Sequence, residues 1–308
     1  MDNDFELIKG IYNAFDPFRP LKPGDSAYVD CQKVRGDSNI EMQLGKKIVF
    51  AEVSDDKDNS TCQLYSGHRG SGKSTELLRL EKYLSDRDCF VVYFIADRED
   101  IDPEDAQYTD ILLACTRHLL EKLRKTNPDP ILNWLKDRWK DLQDLSLTTV
   151  TLDKLSIDAA ITTFAKVTAN LRAVPSQRAK IRSLVDPHTT TLLKALNEFI
   201  DEAKNQLPLG KNKLVIIADS LDRIAPTIQE NGRTNHDQIF IDRHKQLKGL
   251  DCHVIYTVPI SLLYSDRAND LYDNYGETQI LPMIKVQNQE DDETSYEEGL
   301  NKPRSRFF

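Results

Sequence analysis

The sequence predicts an α/β fold, three α/β/α layers built on a five-stranded, mainly parallel sheet with a large helical insertion. Three observations carry this. Gly67-His68-Arg69-Gly70-Ser71-Gly72-Lys73-Ser74 has the G-x-x-x-x-G-K-[ST] spacing and lies between a strand pattern and a helix pattern. Continuous apolar runs at Phe90 to Ile95, Lys213 to Ala218 and His253 to Val258 read as strands buried on both faces. Helical periodicity fills most of residues 108–207, between the first and second of those runs.

The elements follow in chain order. Residues 1–60 form an N-terminal segment, irregular around Pro17, Pro20, Pro23 and Gly24. Within it Asn39 to Leu44 reads as a short helix and Lys47 to Val53 as extended chain. Asp55 to Asn59 reads as a surface loop. Thr61 to Tyr65 is the first strand, and Leu77, Leu80 and Leu84 give the helix after the loop one apolar side. Four helical stripes follow: Ile111 to Leu123, Ile131 to Trp139, Leu155 to Leu171 and Leu192 to Ala203. Asn127 to Pro130 and Pro175 punctuate them. Gln279 to Val286 is the last strand, placed at the sheet edge because Pro282 cannot donate to a ladder. The main domain is thus 61–286, and the charged segment 287–308 is expected to be a disordered tail.

Several features invite a functional reading that a plainer one matches. Arg178, Lys180 and Arg182 read better as a solvated helix face than as phosphate contacts. Arg35-Gly36-Asp37 reads as a turn. Trp134 and Trp139, five positions apart, cannot share one narrow helical stripe, so either one is an exposed anchor or both sit on a broad core face.

The loop chemistry is specific. Gly67, Gly70 and Gly72 let successive backbone N–H groups, including those of Ser71 and Thr75, turn towards phosphate oxygens. Lys73 reaches the β- and γ-phosphates and Ser74 offers a hydroxyl to Mg²⁺. This is the Walker A element of a P-loop NTPase fold. The apolar run Leu214 to Ala218 ends at Asp219 in a Walker B layout, which makes Asp219 the second Mg²⁺ ligand. Ser220 follows where many ATPases carry a glutamate, and a serine cannot act as a base near neutral pH. Asp222 takes that catalytic role or else only pairs with Arg223. Thr257, at the end of its strand, either contacts the γ-phosphate or attacking water or is simply a β-branched strand residue. His68 carries no catalytic role and Arg69 reads as surface. Arg223 and Arg243 qualify as arginine fingers only across an oligomer interface.

Composition narrows the partners. The chain has 50 acidic against 41 basic residues and a formal charge of −9, which argues against a broad nucleic-acid face. Its five cysteines are scattered singly and read as small buried thiols. No signal-peptide layout and no bilayer-length apolar run occur, so a cytoplasmic protein without a membrane partner is expected.

The segments Gly67 to Ser74, Leu214 to Arg223 and Tyr256-Thr257-Val258-Pro259 together resemble the bacterial STAND/AAA-like P-loop ATPases, the KAP-type group in particular. The resemblance implies a sheet ordered 5-1-4-3-2. It also implies an ATP-driven switch or assembly module in signalling or antiphage defence, with a protein effector or a second copy as partner. Those families continue into a helical lid, whereas a short charged segment follows the last strand here. Three readings of the lid follow: it is missing, it is supplied by a partner, or it is replaced by the helical insertion between Ile111 and Leu207. The function expected is a Mg²⁺-dependent ATPase, with ATP preferred because no Asn/Thr-Lys-x-Asp guanine-reading motif occurs. Ser220 and the absent lid favour the alternative of a non-hydrolysing, nucleotide-bound scaffold. A small-molecule phosphotransferase is the third reading, disfavoured by the lack of an arginine-rich lid segment.

Overall fold

A computed structural model describes residue 5 and residues 19–36, 39–51, 60–146, 156–229 and 232–286. Five strands form one sheet: β1 (Cys62–Gly67), β2 (Cys89–Ile95), β3 (Lys213–Asp219), β4 (His253–Thr257) and β5 (Gln279–Leu281). Their order is β2-β3-β4-β1-β5 and every pairing is parallel. This matches the order that the resemblance implied, read from the other edge. The acidic loop at 55–59 and the tail at 287–308 lie outside the described residues.

The sheet is apolar on both faces, which explains the unbroken runs of β2, β3 and β4. Val215 and Ile217 face one helical layer; Leu214, Ile216 and Ala218 face the other. The first layer holds α1 (Lys73–Ser85), whose Leu77, Leu80 and Leu84 are fully buried against Ile40, Leu44 and Ile48. That contact corrects the reading of Lys47 to Val53 as extended over its described residues, 47–51; residues 52 and 53 lie outside them. Glu41–Gly45 is a π-helical turn running directly into the α-helical turn Lys46–Val49. The physical reason is the four-residue spacing of Ile40, Leu44 and Ile48, which puts all three on one side of a helix.

The second layer is built from α2 (Tyr108–Lys122), α3 (Asp129–Lys136), α4 (Trp139–Asp144), α5 (Ile157–Ala173), α6 (Pro175–Val185) and α7 (Thr189–Asn205). The expected stripes of α2 and α7 are buried throughout. The stripe Ile131 to Trp139 is divided between α3 and α4, so Trp134 and Trp139 do not share a helix. Both are buried, at 6% and 3% exposure, which removes the exposed-anchor reading. Beyond β4 a further helix, α8 (Ala268–Tyr275), leads to β5. β5 stops at Leu281, shorter than expected, because Pro282 has no N–H to continue the ladder.

Arg178 and Arg182 are buried, contrary to the solvated-face reading; only Lys180 of that trio is exposed. Arg178 pairs with Asp102 and, at 2.8 Å, with Asp105, while Arg182 pairs with Asp105 at 2.9 Å and Asp110 at 2.6 Å. Asp110 also accepts from the Gln107 N–H, closing the capping box of α2. The loop after β2 is thereby clamped to α6. Arg182→Ala is expected to destabilise the fold by roughly 3–5 kcal/mol, because it strands the buried Asp110 carboxylate. Denaturant unfolding measures this, and a loss below about 1 kcal/mol would show that the clamp is dispensable.

The cysteines are free. Burial pushes the Cys89 thiol up to about 11 and that of Cys252 to about 12, so neither is poised to react. Among the described residues no helix is long and apolar enough to cross a membrane.

Candidate functional site

The loop from Gly67 to Thr75 leaves the carboxyl end of β1 and enters α1. Gly67, Gly70 and Gly72 all hold positive φ here. Gly72, at φ +95°, lies in the left-handed region immediately before the first helical residue. At Gly67 an added Cβ would come within 2.9 Å of the Leu281 carbonyl oxygen, so β5 and the loop pack too closely for any side chain. Ser71 is buried, and its Oγ has no hydrogen-bond partner among the described residues. An orphaned hydroxyl inside such a cradle fits an anionic ligand.

Lys73 lies in the first turn of α1 and is only 7% exposed. Its Nζ donates to the carbonyls of Gly67 and His68, both at 2.9 Å, and lies 2.9 Å from the Asp222 carboxylate. Asp222 therefore faces the loop lysine, and the reading that it anchors Arg223 is not what the geometry gives. Arg223 instead pairs with Asp97 at 2.8 Å. The turn that aims Asp222 starts at Ser220, a buried residue held at φ +67°. This left-handed kink folds the 3₁₀ turn Leu221–Arg223 back towards β1.

Asp219, at the end of β3, is 1% exposed. It accepts from the Tyr93 hydroxyl at 2.7 Å and from the Ser220 N–H at 2.6 Å, with the Ser74 hydroxyl beside it. Burial pushes its carboxyl above the usual carboxylate range, opposed by those hydrogen bonds and reinforced by the nearby charge of Asp222. Ser74 lies beside Asp219. Among the described residues no group of three His, Cys, Asp or Glu side chains could hold a metal. A Mg²⁺ ion that keeps phosphate and water ligands needs no such group, and one hydroxyl with one carboxylate fits it.

Thr257 is fully buried. Its Oγ1 accepts from the Leu221 N–H at 2.9 Å and donates towards the Ala218 carbonyl at 3.4 Å. In this arrangement it fixes the Leu221–Arg223 turn. Thr75 Oγ1 accepts from the Leu21 N–H at 3.1 Å, tying the N-terminal segment to the start of α1. Gly70, Gly72, Lys73, Ser74, Thr75, Ser220, Asp222 and Arg223 line one cleft of about 230 Å³, with Arg19, Pro20 and Arg69 completing it. Arg69 is both exposed and part of this lining. Arg243 lies elsewhere, its guanidinium 4.9 Å from the centre of the Tyr108 ring.

Three contributors escaped the sequence reading. Tyr93 reads in the sequence only as part of an apolar strand, although its lone hydroxyl in that run is a visible signal. Asp97 and Arg19 give no signal: Asp97 owes its place to Arg223, far along the chain, and Arg19 to the N-terminal segment being tied to α1 through the Leu21–Thr75 hydrogen bond. Against known proteins, the chain matches no protein-family model, no curated protein and no solved structure.

Proposed function

We propose that this chain is a P-loop NTPase of the STAND/AAA-like, KAP-type kind. It binds Mg·ATP in the cleft above β1 and β3 and uses nucleotide turnover to switch its contact with an effector protein or a second copy. The observation that carries this reading is the convergence, at the carboxyl ends of β1 and β3, the parallel strands on either side of β4, of Lys73, Ser74 beside Asp219, and Asp222 around a glycine-built loop. Backbone N–H groups of Gly70 and of Gly72 to Thr75, the Ser71 hydroxyl and the Lys73 ammonium supply the phosphate contacts, while the Ser71 N–H closes the loop on the His68 carbonyl. Ser74 and Asp219 hold the magnesium, which when bound neutralises charge on the phosphates. Asp222 orients or deprotonates the attacking water. Thr257 acts at one remove, by fixing the turn that carries Asp222.

A second reading, a nucleotide-bound scaffold that does not hydrolyse, is favoured by one observation. Ser220 is buried where an acid often stands, and Asp222, the next acid along, is engaged by Lys73. Phosphate release with no added acceptor separates the two readings, and also separates the ATPase from a phosphotransferase.

Asp219→Asn tests the metal assignment. The amide keeps the shape and can still accept from Tyr93, so the fold is expected to persist. Mg²⁺-dependent ATP binding is expected to fall by about tenfold or more, as the ion loses its anionic ligand. Titrating Mg²⁺ against ATP affinity measures this; identical Mg²⁺ dependence in the variant and the parent would make Asp219 only a strand end.

A further inference from the structure

Arg223 stands out among the arginines of this chain. Arg178, by contrast, is enclosed by Asp102, Asp105 and the carbonyls of Leu171 and Arg172, which makes it purely architectural. Arg223 is 38% exposed and lines the same cleft as Lys73, Ser74 and Asp222. Its ion-pair partner is Asp97, in the short helix Ala96–Glu99 directly after β2. Asp97 holds it through Oδ2 alone; Oδ1 is buried with no hydrogen-bond partner among the described residues. A carboxylate used on one side only is a weaker anchor than a bidentate one.

Two cation–carboxylate pairs therefore join the ends of three strands, β1, β2 and β3. Lys73 is matched by Asp222 and Arg223 by Asp97, each at 2.9 or 2.8 Å, and both cations border one cleft. We propose that Arg223 reads the terminal phosphate of the bound nucleotide from within its own chain, leaving Asp97 to make that contact. No oligomer interface is needed, because the guanidinium already borders the cleft that holds the loop lysine. A phosphate offers the planar guanidinium two oxygens, where Asp97 offers one. A nucleoside triphosphate presents a terminal group that a diphosphate lacks. Arg223 is thus a specificity residue for triphosphate over diphosphate, and Asp97 is the anion that competes with the ligand.

This inference rests on the nucleotide-binding reading, and the experiment keeps the two apart. Calorimetry with Mg·ADP and with the Mg²⁺ complex of the non-hydrolysable imido analogue of ATP is run on the parent, Arg223→Ala and Asp97→Asn. The parent is expected to prefer the triphosphate analogue. Arg223→Ala is expected to lose about tenfold or more in affinity for the analogue, with ADP affinity kept within about twofold. Asp97→Asn is expected to bind the analogue several-fold more tightly, roughly the effect of removing one competing charge. An unchanged ratio of the two affinities in Arg223→Ala overturns the assignment and leaves Arg223 a structural residue. A preference that vanishes on dilution of the protein puts the arginine in a neighbouring copy and also overturns it. Should Arg223→Ala fail to fold, Asp97→Asn decides alone, and an unchanged ratio there overturns the proposal. A parent that binds neither nucleotide overturns the nucleotide-binding reading, and this inference with it.

Discussion

Lys73→Ala is expected to abolish nucleotide binding, with affinity for Mg·ATP falling at least about a hundredfold. The ammonium is the buried charge of the loop, and its three acceptors (the carbonyls of Gly67 and His68 and the carboxylate of Asp222) hold it inside the cradle. Alanine removes that positive charge and leaves the Asp222 carboxylate without its counter-ion beside the phosphates, so the cradle loses its main attraction. Since Lys73 is nearly buried, the variant also needs a fold control: an unchanged far-ultraviolet circular dichroism spectrum and a cooperative melt. A folded variant that binds Mg·ATP as the parent does would remove the phosphate-loop assignment.

Asp222→Asn carries the second large effect. As the acid that acts on water, Asp222 should be worth roughly 10²–10⁴-fold in turnover, the usual scale for one general base. Its pairing with Lys73 adds a second consequence. A phosphate must displace Asp222 from the ammonium, and asparagine competes less well, so ATP affinity should rise a few-fold as turnover falls. Arg223 has Asp97 as its partner, so this substitution does not free it. Single-turnover rate, ATP affinity and melting temperature on one preparation resolve the outcome. Turnover retained per folded molecule would make Asp222 only the counter-ion of Lys73. A parent with no turnover, even beside its partner, favours the scaffold.

Much of the architecture was legible in the sequence. The apolar runs of β2, β3 and β4, the leucine spacing of α1 and the stripes of α2 and α7 are local patterns, and each holds in the fold. What misled was a stretch too short for its period to show, as at Ile48, or a break invisible to periodicity, as between α3 and α4. Arg178 and Arg182 misled for another reason. Their four-residue spacing is equally that of a solvated face and of a buried clamp, and the acids that decide between them lie before and within α2.

The candidate site divides along the same line. Gly67 to Thr75 and Asp219 announce themselves, because a loop that curls around phosphate needs glycine, lysine and a hydroxyl at fixed intervals, and a strand-end acid needs only its apolar run. By itself the sequence thus determined the α/β class, the strands and the loop, all consequences of backbone geometry within a few residues. Only the tertiary structure decided that Asp222 faces Lys73, that Arg223 pairs with Asp97, that Tyr93 donates to Asp219 and that Thr257 fixes a turn. Each is a contact between strand ends distant in sequence. Such contacts depend on how the parallel strands are ordered and in what register they pair, and no local pattern of residues encodes which acid will meet which base.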